Sequence, residues 1–464
     1  MKYSAEEIQY KKVRPPEQEE AVLVELTDAT MLKRKAQVLA KMTENQLDVL
    51  AIYADLEHGD NFEYLTGFTP RFEEALLLLH QDGKAYCLLG NETLRMEAYS
   101  RLPFKAILAS HFSLPNQPFT AEENFSKLLA QAEITEDKRV GLVGWKLFNS
   151  KIKNYQRLTD FPAFIAEAFV ELVHERSRLI NATALFIDPD QGIRTHNNAN
   201  EVAHYAYGQV LASNGILACL TDLELGKKEI ELANVLESEG QRNTVVTICS
   251  TGQRFKNANV YPSLQEVCLG DRFSMTVGYK GGLVSRAAYA VRKEEEIKGS
   301  KKNYLQEVAK PYFAAIVTWL SSIQIGMTGG QLYDLMEEVV PQGEYGWHLN
   351  PGHLVADEEW LSSPIFPDST IPFKSGMMLQ LDLILAVTGF SGANAENGIA
   401  LADQNLRQDI QNNYPQIWQQ IEKRRAYIQD EIGLKLAEEV LPLSNTVAYF
   451  TPLLLNKDHA LTIG

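Results

Sequence analysis

LDVLAIYADLEHGDNFEYLTGFTPRFEEALLLLH, residues 47–80, sets the character of the first half of the chain. Its opening run LDVLAIYA (47–54) is short, apolar and unbroken, the pattern of a strand covered on both faces. NFEYLTGF (61–68) carries helical spacing, and EEALLLLH (73–80) is a second buried strand. The turn QDG and the run AYCLLG then add a further strand. Upstream, Thr27 and Asp28 are good N-cap residues for a helix running through MLKRKAQVLAKMTENQ. Downstream, KRVGLVGW (138–145) predicts another buried strand. Strands alternating with helices predict an α/β layer domain.

The second half reads differently. Helical patterns cover AFIAEAFVELVHERSRLI (163–180), NANEVAHYAYGQVLAS (198–213) and KEIELANVLESEGQ (228–241). Strand-like runs follow: TVVTICST, RFSMTVGY, LVSRAAYAV, GMMLQLDLILAV and ENGIALA. Helices followed by a block of strands predict an α+β domain with an antiparallel sheet. A last helical pattern opens at Leu406, and Pro415 inside it suits the start of a new helix. The mixed-charge run RKEEEIKGSKKN (292–303) suits a solvated loop or a helix start. The expected organisation is an N-terminal arm (1–27), an α/β domain (28–160) and an α+β domain with a C-terminal extension (161–464).

Composition narrows the function. The chain has 464 residues, 45% apolar and 22% charged, enough for a sizeable core in about two domains. A net charge of −16 argues against a nucleic-acid partner, whose phosphates call for Lys and Arg. It suits a small-molecule, peptide or protein partner. Cys87, Cys219, Cys249 and Cys268 form no C-x-x-C pair and are expected to be buried free thiols. The charged start MKYSAEEIQYKKVRPPEQEE lacks the apolar stretch of a secretory signal. No run of about 20 apolar residues predicts a membrane span, so a cytoplasmic location is expected. The glycine clusters GYKGGL and GMTGGQL lack a strand–GxGxxG–helix context and predict no phosphate site.

Two regions carry a resemblance. The order RKAQVLAKM, LDVLAIY, NFEYLTGF, EEALLLL is similar to the N-terminal domain of the creatinase/prolidase/aminopeptidase P family, with Y-L-T-G-F its most recognisable element. In the second half the family has a Gly-Asp turn, a strand ending in a metal-binding Asp, a Gly and a turn. A second Asp then comes shortly before an Arg-Thr pair. GDRFSMTVGYKGGLVSRAAYAV (270–291) resembles this, with Gly270–Asp271 and Gly278 matching. The first Asp position holds Thr276; the second, allowing one deletion in the turn, holds Arg286. The loop WHLNPGH places His353 on the ligand His and His348 on the upstream one, while the second loop His falls near Trp360 and is absent. GMMLQLD puts Asp382 in place of a metal Glu, and NAENGIALAD puts Glu396 on the last. A further family His, in a p-H-x-x-P context, falls on Asn259.

The resemblance covers roughly residues 30–403 and implies the curved "pita-bread" sheet, flanked by helices, in the second domain. It also implies a hydrolase ancestry and a homodimer. Two bridging cations need charged oxygen ligands. Thr276 removes one charge and Arg286 inserts a positive one, so no metal cofactor is expected. Arg286 is expected instead to bridge Asp382 and Glu396 by bidentate hydrogen bonds. Three readings stay open. One is a metal-independent hydrolase or remnant acting on a small amide, amidino compound or peptide. In it His353, Asp382 and Glu396 are catalytic, and His348, Arg286, Asn259 and Thr276 bind substrate. The second is a non-catalytic binding protein. The third is an active Xaa-Pro metallopeptidase with a different pair of aspartates. Each residue also has a plainer role: the two His in a Gly/Pro loop suit structure, and Thr276 and Asn259 suit polar filling.

Overall fold

Strand β1 (Ile8–Lys12) shows at once how the chain is organised: it pairs antiparallel with the last strand, Ile8 opposite Ile463. In this computed structural model, residues 2–117, 124–148, 155–257, 259, 261–298, 302–390 and 392–464 are described. They form two compact units, Leu26–Arg194 and Met1–Glu25 with Thr195–Gly464. The first residues, expected to be an arm, thus belong to the C-terminal unit, because Ile8 buries its side chain against the final strand.

The N-terminal unit opens with α1 (Asp28–Glu44), capped by the Thr27 side chain on Thr30 N. A mixed six-stranded sheet follows, built from β2 (Val49–Ala54), β3 (Ala75–His80), β4 (Ala85–Leu89), β5 (Lys105–Leu108), β6 (Val140–Val143) and β7 (Leu179–Asn181). Every residue of β2 and β3 is buried, as their unbroken apolar runs require. α2 (Asp60–Thr66) ends at Gly67, whose φ of 75° lies in the left-handed region. This is the role of glycine in the Y-L-T-G-F element. α3 (Phe125–Gln131) and α4 (Ala163–Val173) cover the sheet through Leu128, Ile165 and Phe169. The helical pattern at 163–180 stops early: His174 takes a positive φ of 56°, and Leu179–Asn181 becomes the edge strand. α5 (Ala184–Ile187) and the bond from Arg194 to Asn61 Oδ1 (2.9 Å) close this unit, which therefore extends past residue 160.

The C-terminal unit contains α6 (Ala199–Asp222), opened by a reciprocal cap between Asn198 and Glu201. α7 (Glu229–Ala233) is one short helix within the expected 228–241. β8 (Ile248–Thr251) and α8 (Gly252–Lys256) precede the hairpin of β9 (Arg272–Tyr279) and β10 (Gly282–Tyr289). α9 (Lys310–Ser322), α10 (Gly329–Val339) and α11 (Gln342–Tyr345) follow. Then come β11 (His353–Leu354), β12 (Met378–Leu381) and β13 (Asn394–Leu401). α12 (Gln404–Asn413), α13 (Pro415–Tyr427), β14 (Val440–Pro442) and β15 (His459–Ile463) complete the chain, with Pro415 starting a helix as expected. The strand order is β11-β12-β13-β10-β9-β8, with β14 also on β13, and every pairing is antiparallel.

The β9–β10 hairpin sets the register of this sheet. It turns on two residues, Lys280 and Gly281, between the pair Tyr279 and Gly282. Its tip sits on α6 at Gly208, where any Cβ would lie 2.0 Å from the Lys280 carbonyl. Gln209 Nε2 donates to Gly281 O at 2.6 Å and pins the turn.

Candidate functional site

Because the hairpin turn is so short, Thr276 lies directly opposite Ser285. Ser285 in turn lies opposite Glu396 on β13. Asp382 follows Leu381, whose partner is Asn397, so one step along brings it beside Glu396. Opposed residues of antiparallel strands share a face. Thr276, Ser285, Glu396 and Asp382 therefore form one row across the sheet. The two hydroxyls are 2.6 Å apart. Asn394, two residues before Glu396 and on the same face, donates to Glu396 Oε1 at 2.6 Å and to Ser285 Oγ at 3.3 Å. His353 on β11 opposes Gln380 and brings Nε2 to 4.0 Å from Asp382 Oδ2. The same nitrogen lies 3.0 Å from Glu359 Oε1, off the N–H direction, so the contact is an ion pair rather than an aligned hydrogen bond. The Trp360 ring stacks on the imidazole, with centroids 4.1 Å apart and planes at 22°.

This cluster is buried, and burial dominates its electrostatics. Glu396 is pushed well above the usual carboxyl range by burial, then by the charges of Asp382 and Glu359. Asp382 is also raised by burial, against the lowering effects of His353 and of a hydrogen bond from Glu396. Two touching carboxyls in a low-dielectric site cannot both ionise. Glu396 carries the larger upward shift, so burial favours the neutral form of its carboxyl over that of Asp382. Burial alone would depress His353, but Glu359, Asp382 and the Leu354 carbonyl outweigh it and raise its pKa. Asp382 Oδ1 is buried with no hydrogen-bond partner.

Residues 34–167 match the family model described as the creatinase/prolidase N-terminal domain. The chain also matches solved structures of that family across both units. An Xaa-Pro dipeptidase from Bacillus anthracis is 14% identical, with a TM-score of 0.60 over 81% of this chain and 96% of that one. A prolidase from Thermococcus sibiricus is 16% identical, with a TM-score of 0.63 over 82% and 96%. An X-Pro aminopeptidase from Thermotoga maritima is 16% identical, with a TM-score of 0.59 over 80% and 95%. The protein has the creatinase/prolidase fold. No curated protein matches by sequence. At these identities the likeness of the structures establishes the fold alone.

Within that creatinase/prolidase frame, the row corrects the expected role of Arg286. Arg286 opposes Met275 and Ala395, so its side chain leaves the sheet on the face opposite to Thr276. It does not bridge the carboxyls. Nη1 donates to the backbone carbonyls of Ser285 (2.7 Å) and Glu396 (3.1 Å), and Nη2 to those of Thr446 (2.9 Å) and Tyr449 (3.0 Å). The residue opposite Thr276 is Ser285, because the turn is one residue shorter than the motif comparison allows. His348 is exposed on the loop between α11 and β11, while His353 is fully buried. Asn259 is also exposed, beyond α8, where its backbone N–H donates to Arg254 O. Neither joins the cluster. Cys87, Cys219 and Cys249 are buried as expected, but Cys268 is exposed in the turn before β9. Part of the 292–303 run, residues 299–301, lies outside the described residues.

Sequence reasoning missed Ser285 and Asn394 as neighbours of the three central residues; it reached the position of Trp360 through the family's second loop His but not its stacking on His353, nor the approach of Glu359. Two divalent cations held together need bridging carboxylates. Here two row positions supply neutral hydroxyls bonded to each other, and the donor set does not fit a metal pair. Among the described residues no group of three or more His, Cys, Asp or Glu side chains is arranged to hold a metal ion. Among them, too, no helix is long and apolar enough to cross a membrane.

Proposed function

We propose that the C-terminal unit hydrolyses a C–N bond of a small amide, amidino compound or peptide without a pair of metal ions. The observation that carries this reading is the row itself: two hydroxyls beside a buried carboxyl pair, both members of which are raised by burial. Asp382, with Oδ1 unpartnered, accepts a proton as water adds to the scissile carbon. Glu396 gives its proton to the nitrogen as the C–N bond breaks. His353, held as imidazolium by Glu359, keeps Asp382 ionised. The cluster faces substrate with Glu359 and Asp382 while Arg286 is turned away, which favours an amino or amidino group on the ligand.

The test is turnover of Xaa-Pro dipeptides and small amidino compounds in excess chelator, together with metal content. Turnover that survives chelation and disappears in Glu396→Gln and Asp382→Asn supports the reading. About two equivalents of Mn, Co or Zn with chelator-sensitive turnover would overturn it.

A second reading, a non-catalytic binder of peptides or proteins, is favoured by the complete burial of His353 beneath Trp360. Saturable peptide binding with no product release selects it. The family resemblance adds a cytoplasmic homodimer to either reading, and light scattering of the purified chain checks the dimer.

A further inference from the structure

A cavity of ≈ 590 Å³ lies in the C-terminal unit and is lined by none of the row residues. Leu217 and Leu220 of α6, Leu454 and Leu455 of the C-terminal tail, and Pro15 and Pro16 line it. The segment bearing these prolines is fixed on both sides. Tyr427 donates to Arg14 O at 2.8 Å. Glu19 exchanges backbone hydrogen bonds with the Asn214 amide, and its carboxylate pairs with buried Arg424 at 2.6 Å. The cavity is thus preformed, and its volume is typical of small-molecule sites.

Three of its polar groups can donate into it. Thr451 is 3% exposed, and its Oγ1 has no hydrogen-bond partner. Such a buried hydroxyl is costly unless something pairs with it. Tyr449 lines the same space, and burial pushes its pKa up to about 12, so its hydroxyl keeps its proton. Lys457 lines the cavity too, its ammonium donating to Thr221 O at 2.6 Å. The one lining carboxylate, Asp458, is already engaged by His459 at 2.8 Å and Lys12 at 3.5 Å. An apolar chamber with free donors and a cation fits an apolar body with an accepting, anionic head.

We propose that this cavity is a second small-molecule site, which takes a compact aryl or alkyl monocarboxylate. The apolar part fills the leucine-lined chamber, and the carboxylate accepts from Thr451, Tyr449 and Lys457. Isothermal titration calorimetry on the full chain tests this with phenylpropionate and its neutral analogue phenylpropanol. The acid binds saturably at one site and more tightly than the alcohol. Thr451→Val weakens the acid by about tenfold, the loss of one charge-assisted hydrogen bond. The same variant does not lower the melting temperature of the free protein, because it removes an unpaired group. Lys457→Met reduces acid binding and leaves the alcohol unchanged. Leu455→Trp, at a half-buried position, fills the chamber and abolishes binding of both. Failure of either probe to saturate in the millimolar range overturns the proposal. So does binding that Thr451→Val and Leu455→Trp leave unchanged in folded protein.

Discussion

Replacing Arg286 by Ala removes four hydrogen bonds from a guanidinium that is 1% exposed, and every acceptor is a backbone carbonyl. Burial pulls its pKa down to about 10, so it stays charged at neutral pH. Each orphaned carbonyl costs about 1–3 kcal/mol in a dry site, partly recovered if water enters the space. The expected loss is about 3–5 kcal/mol, the range for breaking a buried charged network. Arg286→Lys keeps the charge, but one ammonium cannot span both carbonyl pairs, and about half the loss remains. Glu396→Gln is the control. Arg286 touches only the Glu396 carbonyl, and burial favours the neutral form of the carboxyl, so this change should cost less than about 1 kcal/mol. Urea unfolding followed by tryptophan fluorescence reports the right unit, since Trp319 and Trp347 are both buried within it. An Arg286→Ala protein within about 1 kcal/mol of the parent would refute the carbonyl cage. Strong coupling between Arg286→Ala and Glu396→Gln in a double-mutant cycle would restore the bridged arrangement and refute the register argument.

Glu396 and Asp382 hold protons more tightly folded than unfolded, and so does His353. Their contribution to stability is fully present below the ordinary values of 3.8, 4.5 and 6.5 and is lost as pH rises through the folded values. The melting temperature should therefore fall from mildly acidic to alkaline pH, and the fall should be shallower in Glu396→Gln; an equal slope would remove Glu396 from the account. Glu359→Gln removes the nearest charge from His353 and should lower its pKa, read from the imidazole proton shifts in NMR; an unmoved titration would show that Glu359 is not its main partner. Glu19→Ala strands the buried Arg424 guanidinium and should destabilise the C-terminal unit by about 3–5 kcal/mol, whereas a neutral result in urea would show that the N-terminal segment is only loosely attached.

The fold was legible because its signals are local. Unbroken apolar runs at 49–54 and 75–80 need two covered faces, and the glycine of Y-L-T-G-F closes α2 in the left-handed region. The division between the units was less so. A continuous helical pattern at 163–180 hides the turn at His174, and the edge strand beyond it is held by parallel pairing to β6, a contact distant in sequence. His353, Asp382 and Glu396 could be placed by motif order, and the structure does bring them together. Arg286 could not, because strand faces alternate with a period of two and a turn shorter by one residue reverses every assignment. Asn394 was within reach, since it stands two residues before Glu396 on the same strand. The motif order reached Trp360, where the family's second loop His falls, but not its stacking on His353 or the aim of Glu359 at the imidazole, because nothing local directs an acidic loop at a particular ring.

The register also changes how the site is neutralised. With Arg286 among the row residues, the carboxyls of Asp382 and Glu396 would be balanced by a fixed cation and closed to any other. The side chain instead lies on the opposite face, where it ties the carbonyls of Thr446 and Tyr449 to the strand carrying Glu396. Burial raises Glu396 and Asp382, and Glu359 and Asp382 raise His353 against its own burial, so all three groups are shifted toward their protonated forms. Protons are exchangeable in a way that a caged guanidinium is not. Thr276 and Ser285 contribute hydroxyls that satisfy each other and add no charge. The titratable side chains of the row are therefore those of Asp382 and Glu396, with His353 beside them. Arg286 is a brace behind that cluster, tied through the Glu396 carbonyl to the strand that carries the carboxyl.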